Sequence, residues 1–348
     1  MTLQAADIPP VPSIEDPALR QRLQARLDAK TKPLGALGRL EQLALQIGQV
    51  LGTEAPQLHA PQMLVCAADH GLAARGVSAY PADVTWQMVR NFLSGGAAVS
   101  VLARQHGLAL TVVDCGVLQP TPPQPGLVQR RIAAGTADAL QAPAMSAQQC
   151  AQAIANGREV VRGLPGNALL LGEMGIGNSS SAALLLARLS GQDIDACTGA
   201  GTGLDAQALA RKRAVLREVL AVHAQARTPL QALAAFGGFE IATLVGAVLQ
   251  AAQERRLVVL DGFIASSAVL VAHALAPQVV QRCVAAHQSA EPGHALLLRL
   301  LGLQPLLQMD LRLGEGSGAA LAWPLLESAC RILSDMASFE SAGVSGPA

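Results

Sequence analysis

The 348 residues exceed the usual size of one domain, and 51% hydrophobic against 14% charged residues argue against disorder and for extensive burial, in a core or at a subunit interface. Twenty-five basic residues balance twenty-five acidic ones, and two Trp, one Tyr and five Phe are too few for a base-stacking surface, which argues against nucleic acid as a partner. The start of the chain has no basic, apolar leader, no stretch is apolar for the ~18 residues of a membrane span, and six cysteines and seven histidines fall without metal-ligand spacing. The expectation is a cytoplasmic, metal-free oligomer with reduced cysteines.

In chain order, Asp16 before Pro17 marks a helix start, with Leu19, Leu23 and Leu27 at helical spacing, and a second helix is predicted over 37–51. Short apolar runs at 63–67, 108–113, 168–171 and 257–260 then alternate with longer helical stretches, the pattern of parallel βαβ units. Weaker runs at 283–286 and 306–309 bring the expected count to about six strands. The Pro-rich stretch 120–125 reads as an exposed loop before Arg130 and Arg131. After Asp310 the chain turns through glycine into an apolar helix that Pro324 should kink or break, and the tail from Ser341 should fray.

Asp69, Asp114, Glu173 and Asp261 each follow an apolar run, so four carboxyls should lie along the carboxyl edge of the sheet, where open parallel sheets bind ligands. Each acid alone is equally well read as a cap or loop anchor. Three segments suit an anion. The turn 172–181 contains Gly175, Gly177, Asn178 and Ser179 and opens a helix; free N–H groups and the helix dipole there would stabilise a phosphate, although a tight capped turn gives the same pattern. The turn 198–203, with Gly201, Thr202 and Gly203, precedes a helix carrying Lys212, which either neutralises the phosphate or is a solvated surface lysine. Ser289, ahead of Glu291, either joins the site or caps its helix.

Glu315, between Gly314 and Gly316, is the strongest candidate for a base: a carboxylate among apolar residues on an unusual backbone has its pKa pushed toward a useful range. Its alternative is a favourable charge at a helix start. Tyr80, Trp86 and Phe92 fall in one segment and suit a wall against a planar ring, although Trp86 and Phe92 also fit the apolar face of a helix.

Together, the motifs 31–38 (Thr-Lys-Pro-Leu-Gly-Ala-Leu-Gly), 68–71 (Ala-Asp-His-Gly), 78–81 (Ser-Ala-Tyr-Pro), 172–178, 198–203 and 314–318 (Gly-Glu-Gly-Ser-Gly) resemble, in content and order, the nicotinate-nucleotide:dimethylbenzimidazole phosphoribosyltransferase family over nearly the whole chain. The resemblance implies an α/β fold with a mostly parallel, Rossmann-like sheet flanked by helices (35–305). It also implies a small helical lobe built from both chain ends (1–34 and 306–348), and a homodimer. It implies transfer of the phosphoribosyl group of nicotinate mononucleotide to 5,6-dimethylbenzimidazole without a cofactor. Glu315 is then the base and Glu173 a second active-site carboxylate. Tyr80, Met88, Met174 and Leu313 would meet the incoming base; Gly175, Gly177, Asn178, Ser179, Gly201, Gly203, Lys212 and Ser289 would surround the nucleotide. The chain departs from the family pattern at Tyr80 and Met88, where Ser and Gln occur, and at Asp138, where Asn is common. These departures leave the preferred base open. The rivals are transfer to another base, a non-catalytic nucleotide sensor, and an oxidoreductase, which the missing G-x-G-x-x-G argues against.

Overall fold

In the computed structural model, which describes residues 8, 10–201 and 203–345, six parallel strands form the central sheet. They are β1 (Gln62–Ala68), β2 (Ala109–Gly116), β3 (Leu127–Gln129), β4 (Ala168–Met174), β5 (Leu257–Leu260) and β6 (Cys283–Ala285), in the order β3-β2-β1-β4-β5-β6. This is the doubly wound order, and the chain reverses direction across the sheet between β1 and β4. Residues of β1, β4, β5 and β6 are almost all buried, as expected of strands covered by helices on both faces.

About six strands were expected and eight are present among the described residues, six of them in the central sheet. The sixth strand is β3, which follows directly on the Pro-rich segment. The run at 306–309 supplies only β8 (Leu307–Gln308), which pairs with β7 (His287–Gln288) in a separate two-stranded sheet.

The helices are α1 (Pro17–Asp28), α2 (Arg39–Leu51), α3 (Asp83–Ser94), α4 (Ala98–His106), α5 (Ala147–Gly163), α6 (Asn178–Ser190), α7 (Ile194–Cys197), α8 (Ala206–Val222), α9 (Pro229–Phe236), α10 (Phe239–Gln253), α11 (Phe263–Leu275), α12 (Pro292–Leu300), α13 (Ser317–Asp335) and α14 (Phe339–Ala342). Two apolar clusters sandwich the sheet. One joins alternate side chains of β1 and β4 (Leu64, Cys66, Leu169, Leu171) to α5, α6, α10 and α11; the other joins the opposite face (Met63, Val65, Ala168, Leu170) to α1, α2, α4 and α13. The period-two alternation of a strand thus feeds both cores.

Against the first face, α5 and α10 cross in backbone contact. A Cβ on Gly157 would stand 1.9 Å from Thr243 O, and one on Gly246 would stand 2.0 Å from Ile154 O. Only glycine permits that approach.

Asp16 caps α1 as predicted, its carboxylate accepting the Leu19 amide, and Leu19, Leu23 and Leu27 are buried. The chain ends lie side by side: Thr31 donates to Ala337 O and Phe339 to Ala29 O. Two expectations are corrected here. Of the kink or break expected at Pro324, the break does not occur: α13 continues through the proline, which removes one backbone bond while Trp323, Leu326 and Ala329 stay buried around it. Ser341, where the frayed tail was expected to begin, lies within α14 and forms a capping box with Ser338; residues 346–348 of that tail fall outside the described residues.

Candidate active site

The carboxyl ends of β1 and β4 flank the point where the strand order reverses, and the glycine turns gather there. Beyond β4, a Cβ on Gly175 would stand 2.5 Å from Ala68 O and 3.3 Å from the His70 ring, so the turn lies directly on the end of β1. The amide of Ile176 donates to Thr85 Oγ1 of α3 at 3.1 Å, and α6 begins at Asn178 behind Gly177, whose φ is +94°.

His70 braces this turn from beneath. Its Nε2 lies 2.7 Å from Glu240 Oε1 and its Nδ1 lies 3.0 Å from Ser181 Oγ, all three groups being buried. Burial opposes the imidazolium charge, but the Glu240 carboxylate and its hydrogen bond, with Asp69 adding to them, carry the pKa above the ordinary histidine value.

The turn at 198–203 joins the first through Lys212. Far from being a solvated surface residue, Lys212 is 1% exposed, and its ammonium donates to Ser179 Oγ (2.9 Å) and Gly199 O (3.3 Å). Burial lowers its pKa to about 8, with the Glu291 carboxylate working the other way. Gly203 adopts φ +111° and faces Arg312, whose Nη1 would lie 3.7 Å from a Cβ there; Thr202 falls outside the described residues. Ser289 does not cap α12. The N-cap is Glu291, and Ser289 Oγ is buried without a hydrogen-bond partner among the described residues. Its loop is fixed instead by His294, whose Nδ1 accepts the Ser289 amide at 2.9 Å and whose Nε2 lies 3.1 Å from Ser266 Oγ. Burial and His287 lower the His294 pKa to about 3, so the ring is neutral, and accepting at Nδ1 leaves the proton on Nε2.

The third turn carries Glu315 across the end of the sheet. Asp261, just past β5, receives the amides of Gly316 (3.1 Å), Gly318 (2.7 Å) and Ala319 (3.1 Å), so one carboxylate satisfies the orphan donors that open α13. Gly316 packs on β4: a Cβ there would stand 3.3 Å from Gly172 Cα. Glu315 itself takes φ +68°, a conformation that costs a side-chain-bearing residue energy and that its anchored neighbours impose. The amide of Val99, in the first turn of α4, favours the ionised form of its carboxylate, while Oε2 is buried without a partner among the described residues. Burial first, and Asp261 second, raise the Glu315 pKa to about 7.

Glu173 comes to the same place. A Cβ on Gly314 would stand 2.5 Å from its Oε1, and Asn178 Nδ2 donates to its Oε2. Burial, then Asp261, Glu240 and Glu315, raise its pKa to about 8, against the hydrogen bond from Asn178. A folded-state pKa above the unfolded value of 4.5 favours the native state at low pH, and that contribution is lost as pH rises through about 8. Glu173→Gln is therefore expected to raise the melting temperature by a few degrees at pH 8.5 and to change it little at pH 4. Equal shifts at both pH values in calorimetry would refute the assignment.

Of the four acids expected at the strand ends, Asp69 and Asp261 follow β1 and β5, whereas Asp114 and Glu173 lie within the last residues of β2 and β4, and the four divide by role. Asp69 Oδ2 accepts the Leu118 amide and Asp114 Oδ1 accepts those of Gly116 and Val117, so both order loops; Asp261 anchors the third turn, and Glu173 faces Glu315. Of the residues expected at the incoming base, Met88 and Met174 are half-buried against the second core, whereas Tyr80 and Leu313 are 54% and 57% exposed. Phe92 is core, and Trp86 is covered by Arg90, whose guanidinium carbon lies 4.9 Å from the ring centroid.

Sequence reasoning missed Glu240, Val99 and Thr85. A lone acid opening the apolar α10 was the available signal for the first, and the Gly95-Gly96 pair ahead of α4 for the second.

A doubly wound sheet, with glycine turns around a buried lysine and two carboxyls of raised pKa at its reversal point, defines a nucleotide-binding α/β enzyme with acid–base capacity. A phosphoribosyltransferase family model matches residues 13–344. The nicotinate-nucleotide–dimethylbenzimidazole phosphoribosyltransferase of Variovorax paradoxus (strain S110) is 79% identical over 99% of both chains, and that of Cupriavidus necator is 57% identical over 95% of this chain and 96% of its own. The crystal structure of CobT from Thermus thermophilus superposes with a TM-score of 0.92 at 43% identity, covering 95% of this chain and all of that one. The chain belongs to the nicotinate-nucleotide–dimethylbenzimidazole phosphoribosyltransferase family. Among the described residues, no helix is long and apolar enough to cross a membrane.

Proposed function

We propose that the chain transfers the phosphoribosyl group of nicotinate mononucleotide to 5,6-dimethylbenzimidazole, giving α-ribazole 5′-phosphate and nicotinate, with Glu315 as the proton acceptor. The observation that carries this is Glu315 itself: a carboxylate with pKa raised to about 7, one oxygen unpartnered, fixed by Asp261 at the reversal point of the sheet.

One benzimidazole nitrogen attacks ribose C1′ opposite the departing pyridine, which inverts the β bond to α. Nicotinate leaves readily because departure cancels the positive charge on its ring. As the new bond forms, charge builds on the benzimidazole and its other N–H becomes acidic. An ionised carboxylate at that point stabilises the charge and takes the proton. Of the two carboxyls, Glu315 is the better fit for that role, because its Oε2 has no partner among the described residues, whereas Glu173 Oε2 accepts from Asn178. Glu173 serves as a second carboxyl, oriented by Asn178.

The turns at Gly175–Ser179 and Gly201–Gly203, with Lys212 and Ser289, hold the phosphate and ribose. Met88, Met174, Tyr80 and Leu313 line the place of the incoming ring. The helical lobe joining both chain ends, the homodimer and a cytoplasmic location belong to the same proposal.

The test is product identification with purified protein, nicotinate mononucleotide and dimethylbenzimidazole. Equimolar nicotinate and an α-linked ribotide are expected. Absence of both, with ready turnover of adenine or a phenol, would transfer the reading to another base; binding of the nucleotide without turnover of any base would favour a sensor.

A further inference from the structure

The turn at 198–203 already holds an anion. Glu291 Oε1 accepts the Gly201 amide at 2.9 Å, and the carboxylate presses on the turn so closely that a Cβ on Gly199 would stand 2.0 Å from Oε2. This contact is not helix capping. Glu291 occupies the N-cap position of α12 and makes no side-chain cap hydrogen bond, so its carboxylate has left the amides of its own helix for those of a turn 90 residues away in sequence.

The new position is poorly satisfied. Oε2 is buried and has no hydrogen-bond partner among the described residues. The buried Lys212 ammonium is spent on Ser179 Oγ and Gly199 O and forms no ion pair among the described residues. Two residues before Glu291, the Ser289 hydroxyl, 7% exposed, is also without a partner among them. The Glu291 carboxylate therefore takes one backbone amide of the turn and lies within electrostatic reach of the Lys212 ammonium, without a hydrogen bond to it. This is the environment of a phosphate, occupied by a weaker substitute.

We propose that Glu291 is an internal anion which the substrate's phosphate displaces, and that it sets how strongly the site favours phosphate-bearing ligands. The inference rests on the reading of this turn as the phosphate site. One N–H cannot serve both groups, and a carboxylate left beside a phosphate dianion in a buried setting is strongly disfavoured. Binding therefore returns the Glu291 carboxylate to the N-cap position of α12, where helix starts accommodate acids. The measured affinity for the nucleotide is the phosphate's own affinity less the work of evicting Glu291. A ligand without the phosphate leaves Glu291 in place and does no such work.

The experiment compares wild type with Glu291→Gln, which keeps an acceptor for Gly201 but no charge, and Glu291→Asp, which keeps the charge but is too short to hold the turn from α12. In both variants the KM for nicotinate mononucleotide and the inhibition constant of inorganic phosphate are expected to fall about tenfold, the equivalent of one pK unit of charge interaction. The inhibition constant of nicotinate riboside, which lacks the phosphate, is expected to stay within about twofold, since its binding displaces no charge. Constants for phosphate and nucleotide that rise or stay level, or a nucleoside constant that moves in step with them, would overturn the proposal and make Glu291 a structural tie. Inorganic phosphate binding followed by calorimetry needs no turnover. It tests Glu291 even if wild type fails to convert nicotinate mononucleotide, a failure that would count against the proposed function alone.

Discussion

Glu315→Gln is expected to lower kcat by about 10²–10⁴-fold, the usual contribution of a positioned general base, while nicotinate mononucleotide still binds. The substitution preserves shape and leaves the Asp261 bonds to Gly316, Gly318 and Ala319 intact, so the turn has no reason to move. It removes only the capacity to take a proton. In the wild-type enzyme, a base must be ionised to act, so kcat should climb with pH through about 7 and level off above it; the variant should lack that limb. A glutamate that merely favoured the start of α13 would behave otherwise, losing ~1 kcal/mol of stability and no chemistry. Turnover within threefold of wild type, with the pH limb intact, would remove Glu315 from the mechanism.

Asp261 should be nearly as sensitive, for a different reason. Replacing it by Ala orphans three amides at the entrance of α13, each worth about 1–3 kcal/mol when left buried and unpaired. The expected outcome is a loss of several kcal/mol in denaturant unfolding, with turnover falling because Glu315 loses its anchor. Asp261→Asn separates geometry from charge. One amide oxygen still accepts, but the negative charge that helps raise the Glu315 pKa is gone, so the acid limb of kcat should move to lower pH. An unmoved limb in Asp261→Asn, or an unchanged unfolding midpoint in Asp261→Ala, would contradict the arrangement.

The sheet was legible because its main strands are buried on both faces and read as apolar runs bounded by turn residues. The glycine turns were legible for a local reason: backbone that closely approaches other backbone must lack a side chain, and the sequence records that directly. Glu315 stood out between two such glycines. Strand β3 was not legible, because three residues at a sheet edge carry no period of their own and the preceding prolines suggested a loop. Lys212 was ambiguous because burial is not a property of a residue's neighbours in sequence; Arg211 is exposed and Arg213 half-buried, yet Lys212 between them is buried. The His70–Glu240 pair spans 170 residues and is visible only once β1 and α10 are packed together. Of the kink or break expected at Pro324, the break is absent, since buried packing on both sides outweighs one missing backbone bond.

The crossing of α5 and α10 gives the site an unyielding support. A side-chain interface absorbs an added methyl group by changing rotamers, but here the facing atoms are carbonyls and amides already committed to their helices. Any enlargement at Gly157 or Gly246 must therefore translate a whole helix. Helix α10 carries Glu240 in its first turn, and Glu240 holds His70 beneath Gly175. Two glycines at this crossing thus act as a mechanical stop: displacement there passes along α10 to the histidine beneath Gly175.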